Sequence, residues 1–220
     1  MGQILLVRHG QASWDAEDYD VLSATGWEQS RVLGRSLVVR GISVDCVVRG
    51  GMRRHRETAE ACLGEMSREA EIEVDPGWDE FDHLSVLATV PPPFAGRAPS
   101  KEEFQAWFEE ATHRWTGGEH DSEYGETFGS FAERVGAALR RTAERRGSTL
   151  VVTSGGPIAW AVASLLSDDP DVRAGLWHRL NPVCVNSSVT RLVSGRRGLT
   201  LVTLNEHSHL DPTPELLTYR

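Results

Sequence analysis

The sequence predicts an α/β protein with a mostly parallel central sheet and helices on both faces. Three short apolar runs, residues 4–7, 44–48 and 150–153, have the continuous hydrophobic character of strands buried on both faces. Between them lie stretches whose apolar residues recur at helical spacing, so strand and helix alternate along the chain. At 220 residues, 40% hydrophobic and 25% charged, the chain is long and apolar enough for one substantial domain, read here as residues 1–220.

Residues 4–7 form the first strand, and Arg8, His9 and Gly10 follow at its C-terminal end. Ligands bind at that end of the strands in open α/β sheets. An imidazole beside a guanidinium there points to a nucleophile that attacks an anion, and Gly10 lets the backbone turn and a ligand approach. The plainer reading is a loop histidine with a surface arginine. Residues 11–20 are polar, and Asp15, Glu17, Asp18 and Asp20 lack the spacing of a calcium loop, so they read as a solvated loop. Ser23 caps a helix over 24–39, with Trp27, Val32, Leu33 and Leu37 on its apolar side and Gly41 as its stop.

After the second strand, Arg49, Arg53, Arg54 and Arg56 make the most basic stretch of the chain and open a helix to about residue 66. At least one of these arginines is expected to face the same crevice as His9. The alternative is a solvated helix face or a weak nucleic-acid patch, but no aromatic residues interleave the arginines as a stacking surface needs. Residues 70–74 read as a third strand. Glu80 follows in a loop between Trp78 and Phe81, and an apolar setting raises a carboxyl pKa and suits a proton donor. A surface acid is the competing reading.

A breaker-rich loop over 90–100 precedes helical stretches at 101–115 and 127–146, whose aromatic stripes read as core. Residues 81–125 are read as a helical insertion that shapes one wall of the site. The strand at 150–153 runs into Ser154-Gly-Gly-Pro-Ile158 and an apolar helix to Leu166. Strand, glycines and helix start make a cradle for phosphate, because free N–H groups and the helix dipole converge there. Pro157 suits the first helical turn. Runs at 183–193 and 199–204 close the chain as an edge hairpin.

A net charge of −9 argues against general binding to nucleic acid or membrane surfaces. Cys46, Cys62 and Cys184 lie far apart with no CxxC pair, which fits reduced thiols. No signal-peptide pattern opens the chain, and no apolar run approaches the ~20 residues of a membrane span. The expected location is the cytoplasm. His207 and His209 are too few ligands for a metal site. Exposed edge strands would accommodate a homodimer.

Taken together, Leu6-Val-Arg-His-Gly10, Arg54 with Glu57-Thr-Ala59, Glu80 and the strand into Gly155-Gly156 resemble the histidine phosphatase superfamily, phosphoglycerate mutase-like. Leu22-Ser-Ala-Thr-Gly26 with Gln29, Gly125-Glu-Thr127 with Arg134, and Asn186-Ser-Ser188 add minor landmarks in order along nearly the whole chain. The resemblance implies a three-layer sandwich and a phosphomonoester hydrolase working without metal or other cofactor. His9 would take the phosphoryl group as a phosphohistidine, and Arg8 and Arg54 would grip its oxygens. Glu80 would protonate the leaving oxygen and then help activate water. Gly10 and the Ser154–Gly155 turn would complete the phosphate pocket. The implied partner is a small phosphorylated substrate or a phosphoprotein.

Three positions depart from the family pattern. Ser154 stands where the family usually has a second histidine, a change worth roughly 1–2 kcal/mol of phosphate stabilisation. A lost oxyanion donor costs up to about 10²–10³ in rate. Gly50-Gly51 replaces a frequent Ser-Pro, and Asp15 stands where many relatives carry a phosphate-binding asparagine. Another imidazole is expected to fill the space at Ser154, with His83 the first candidate, His55 the second and His207 the third.

Competing functions follow from the same residues. A mutase is disfavoured by the altered pocket. A phosphate-binding or regulatory module with weak turnover is the alternative, because Ser154 replaces the histidine. A serine hydrolase using Ser154 lacks the Gly-x-Ser-x-Gly pattern, since Val152 occupies the first glycine position.

Overall fold

In a computed structural model the structure describes residues 2–13, 20–67, 71–94 and 96–219. Its strands and helices alternate as β1 (Gly2–Arg8), α1 (Ala24–Val39), β2 (Cys46–Arg49), α2 (Arg53–Glu65) and β3 (Ile72–Val74). Then come α3 (His83–Ala88), α4 (Lys101–Thr116), α5 (Phe128–Ala143), β4 (Gly147–Thr153), α6 (Gly155–Leu166), α7 (Pro170–Leu180), β5 (Val189–Gly195) and β6 (Gly198–Glu206). The sheet order is β3-β2-β4-β1-β5-β6. The first four of these strands run parallel, and β5 and β6 form the antiparallel hairpin at the far edge.

Ile4, Leu5, Leu6 and Val7 of β1 and Leu150, Val151 and Val152 of β4 are fully buried, as central strands with both faces covered must be. Alternate side chains serve the two faces. Leu5, Val7, Val47, Leu150 and Val152 pack with Leu33, Leu37, Ala59, Cys62 and Leu63 of α1 and α2. Ile4, Leu6, Val48 and Val151 point to the other face. Register then decides what meets at the sheet's C-terminal edge: Arg8 lies opposite Thr153, and Arg49 opposite Val152. The segments that follow these strands therefore begin side by side.

Contacts divide the chain into two compact units, Met1–Glu80 with Val135–Arg220, and Phe81–Arg134. The smaller unit is built on aromatic rings. Trp115 is fully buried, with ring centroids 4.8 Å from Phe81, 5.1 Å from Phe128 and 5.5 Å from Phe131. Ser100 and Glu103 close a capping box at the start of α4, and Trp107 Nε1 donates to the Val90 carbonyl at 3.0 Å.

Some elements differ from the sequence expectation. The closing strand begins at Val189 because residues 186–188 bond to the end of β1 instead of extending β5. Ser187 N–H donates to the Arg8 carbonyl at 3.0 Å, and Ser187 adopts a left-handed φ of 59°. Helix α7, absent from the sequence reading, has its own start signal in Asp169, which caps it, and Pro170 at its first turn. Asp15 and most of the predicted acidic loop lie outside the described residues. Among the described residues no helix is long and apolar enough to cross a membrane. Cys46, Cys62 and Cys184 are free thiols, and burial pushes Cys62 up to about 12.

Candidate active site

β1 delivers His9 to the sheet edge. Its N–H continues the parallel ladder by donating to the Thr153 carbonyl at 2.9 Å, and its carbonyl accepts from Asn186 Nδ2 at 3.1 Å. The ring is buried. Nδ1 lies 2.7 Å from the Gly10 carbonyl oxygen, which can only accept, so Nδ1 carries the proton and Nε2 presents its lone pair. Arg54 Nε–H donates to that lone pair at 3.2 Å. Burial first, then the charges of Arg54 and Arg8 and the neighbouring His55, hold the His9 pKa well below its ordinary value. His9 is therefore a neutral imidazole whose lone pair faces a cation.

Gly10 owes its identity to packing. A Cβ there would stand 2.3 Å from the Gly26 carbonyl oxygen at the start of α1. Its N–H donates to Thr58 Oγ1 at 3.0 Å, and that hydroxyl donates to the Arg54 carbonyl at 2.8 Å, tying the loop to α2.

The first turn of α2 is fastened to residues 20–22. Asp20 Oδ1 accepts from Arg54 Nη1 at 2.9 Å, and Oδ2 accepts the Arg53 N–H at 2.7 Å. Glu57 takes the Leu22 N–H at 2.8 Å and Arg53 Nε at 2.7 Å. Asp20 is thus a partner of Arg54, where the sequence reading had placed it in a solvated loop. Arg8 Nη1 donates to the carbonyls of Cys184 and, at 2.7 Å, Tyr219. These bonds draw the chain's C-terminal segment against the end of β1.

At the turn from β4 into α6, Ser154 is fully buried and its Oγ lies 2.8 Å from His55 Nε2. His55, also fully buried, has its ring 5.6 Å from that of His9. Gly155 opens α6, and the Gly156 N–H donates to Glu80 Oε2 at 3.1 Å. The start of the helix thus holds the Glu80 carboxyl group. Glu80 is positioned through Trp78, which is buried and whose carbonyl accepts from Thr153 Oγ1 at 2.5 Å. His9, Arg54, His55, Ser154, Glu80 and the start of α6 are therefore linked at one edge of the larger unit.

His83 opens α3 of the smaller unit and is half-buried. His207 turns back on its own strand, with Nδ1 2.6 Å from the Asn205 carbonyl. His209 Nε2 lies 3.2 Å from Ser187 Oγ, and burial lowers its pKa to about 4. Among the described residues no group of three or more His, Cys, Asp or Glu is arranged to hold a metal ion.

Residues 4–207 match the histidine phosphatase superfamily (branch 1). The fold is similar to that of a phosphoglycerate mutase from Bacillus anthracis, with a TM-score of 0.69 at 19% identity, covering 96% of this chain and 95% of that one. A mutant phosphoserine phosphatase from Entamoeba histolytica in complex with phosphoserine gives 0.67 at 17% identity, covering 96% of this chain and all of that one (100%). A mycobacterial glucosyl-3-phosphoglycerate phosphatase gives 0.64 at 20% identity, with 94% and 99% covered.

Proposed function

The chain belongs to the histidine phosphatase superfamily, and we propose that it is a metal-independent phosphomonoester hydrolase acting through a phosphohistidine on His9. The observation that carries this reading is the state of His9. Its proton sits on the Gly10 side, and its Nε2 lone pair faces Arg54, whose N–H holds it until a phosphoryl group draws the guanidinium onto its oxygens.

Binding of a phosphate monoester draws Arg54 and Arg8 onto its oxygens, in forked bonds that guanidinium geometry favours. His9 Nε2 attacks phosphorus, a P–N bond forms, and the P–O ester bond breaks as Glu80 gives its proton to the leaving oxygen. Water then attacks the phosphohistidine, Glu80 recovers a proton from it, and phosphate leaves with His9 neutral again. Ser154, Gly155 and Gly10 complete the pocket around the phosphoryl group. The arginines and the α6 terminus supply the electrostatic stabilisation of the transferring group. The substrate class is small phosphorylated molecules, which the phosphoserine and glucosyl-3-phosphoglycerate phosphatases of the same fold support, or phosphoproteins. Three free cysteines, two of them buried, support a reducing, cytoplasmic setting.

The test is hydrolysis of an aryl phosphate in EDTA by the native chain and by His9→Ala, together with trapping of an acid-labile, alkali-stable phosphoenzyme. Turnover and label that both vanish in the variant are expected. Tight phosphate binding by well-folded native protein without turnover or label would instead favour a phosphate-binding module.

A further inference from the structure

Ser154 and His55 form a buried pair where β4 turns into α6. Serine in the first position before a helix ordinarily accepts an N–H from the second or third helical residue. Here Ser154 makes no such cap. The third residue is Pro157, which has no N–H, and the second, Gly156, gives its N–H to Glu80. The hydroxyl is left to His55, 2.8 Å away.

We propose that His55 is a positioning residue for Ser154: in the ligand-bound site its Nε2–H donates to Ser154 Oγ, so that the serine's own proton points at a phosphoryl oxygen held beside His9. This rests on the reading of His9 as phosphoryl acceptor. No proton is transferred within the pair; Ser154 contributes a hydrogen bond whose direction His55 sets.

Three observations support this assignment. Both side chains are buried, and the His9 and His55 rings are 5.6 Å apart, so a group on His9 lies within the pair's surroundings. His55 Nδ1 is buried and has no hydrogen-bond partner among the described residues. With the proton on Nδ1, an N–H would be stranded and the lone pairs of Ser154 turned toward an anion. With the proton on Nε2, the hydroxyl is satisfied as acceptor and free as donor. Burial and the charges of Arg54 and Arg49 keep the imidazole neutral, so it carries only one of these protons. Gly50 belongs to the same device: a Cβ there would stand 2.4 Å from His55 Nδ1 and 2.6 Å from Asp79 Oδ1. The serine at 154 and the glycine at 50 are thus two consequences of one buried imidazole.

The native enzyme is first labelled with a phosphorylated substrate; failure to form a phosphohistidine at His9 would count against the parent reading, not against the pair. Steady-state kinetics then compare Ser154→Ala, His55→Phe, His55→Gln and the Ser154→Ala/His55→Phe double variant. Ser154→Ala is expected to lower kcat by about 10²-fold with little change in KM. His55→Phe is expected to lower kcat about 10-fold or more, and the double variant no further than Ser154→Ala alone. His55→Gln, whose amide N–H reaches Oγ, should recover most of the loss. Multiplying losses, or a Gln variant as poor as the Phe one, would overturn the proposal. A variant-free check is the ¹⁵N NMR of His55 in the native protein with vanadate. A proton on Nε2 supports the pair; a proton on Nδ1, turned toward Asp79, refutes it.

Discussion

Asp20 lies 2.9 Å from Arg54 Nη1, and through its other oxygen it accepts the Arg53 N–H at 2.7 Å. One carboxylate therefore anchors the start of α2 and aims the guanidinium that touches His9. Asp20→Asn keeps an oxygen for the helix N–H but removes the charge that Arg54 pairs with. We expect kcat/KM to fall about 10-fold, equivalent to about 1.4 kcal/mol, while the thermal midpoint moves little. A Tm loss that tracks the activity loss would mean that Asp20 serves α2 rather than Arg54.

Acid should destabilise this protein earlier than its carboxylates alone would make it do. His9 and His55 have folded-state pKa values held well below 6.5, and His209 is lowered to about 4. The unfolded chain takes up these protons first. Their contribution is complete above about pH 6.5 and is lost as pH falls below it, by up to about 1.4 kcal/mol per pH unit for each group. For His209 the loss ends near pH 4. Asp82 and Glu206, whose carboxyls are held below their ordinary range, begin to add their own loss only at lower pH than the histidines do. Urea midpoints at pH 7.5, 6 and 5 check the slope, and His209→Asn should flatten it by one group's share.

The smaller unit should depend on one ring. Trp115 is fully buried among Phe81, Phe128 and Phe131, and its Nε1 donates to the Glu126 carbonyl at 2.8 Å. Trp115→Ala removes the ring, opens a cavity and strands that carbonyl, for about 3–5 kcal/mol. Hydrogen exchange should show α4 losing its protection. Unchanged exchange in α4 would mean that the aromatic cluster does not hold this unit together.

What the sequence disclosed about this fold was local. The apolar run of residues 4–7, the Ser23 cap and the glycines that open α6 each act through near neighbours, so β1 and α1 lie where their patterns place them. The basic turn before α2 and the histidine after β1 were readable for the same reason. The contacts that give the site its chemistry are not local. Ser154 and His55 are 99 positions apart and meet because β2 pairs with β4 in a register that sets Arg49 opposite Val152. Asp20 reaches Arg54 across 34 positions, and nothing in an acidic stretch distinguishes that carboxylate from its neighbours. Polarity at residues 186–188 was the missed clue to a strand that starts late, since those groups serve the backbone of Arg8 and His9.

Glu80 offers the sharpest test of chemistry, because a proton donor matters only when the leaving oxygen needs a proton. Its carboxyl Oε2 accepts the Gly156 N–H at 3.1 Å, at the same helix terminus that is assigned to the phosphoryl group. Glu80→Gln keeps the size and an acceptor oxygen, so the α6 contact survives, but it cannot deliver a proton to a poor leaving group. For an alkyl phosphate, whose alkoxide is strongly basic, we expect kcat to drop by about 10²–10⁴. For a nitrophenyl phosphate, whose phenolate departs unaided, phosphohistidine formation should change far less. The measurement is single-turnover labelling of His9 with each ester. Equal losses on both esters would show Glu80 binding the substrate or shaping the α6 terminus, with the departing oxygen protonated by another group.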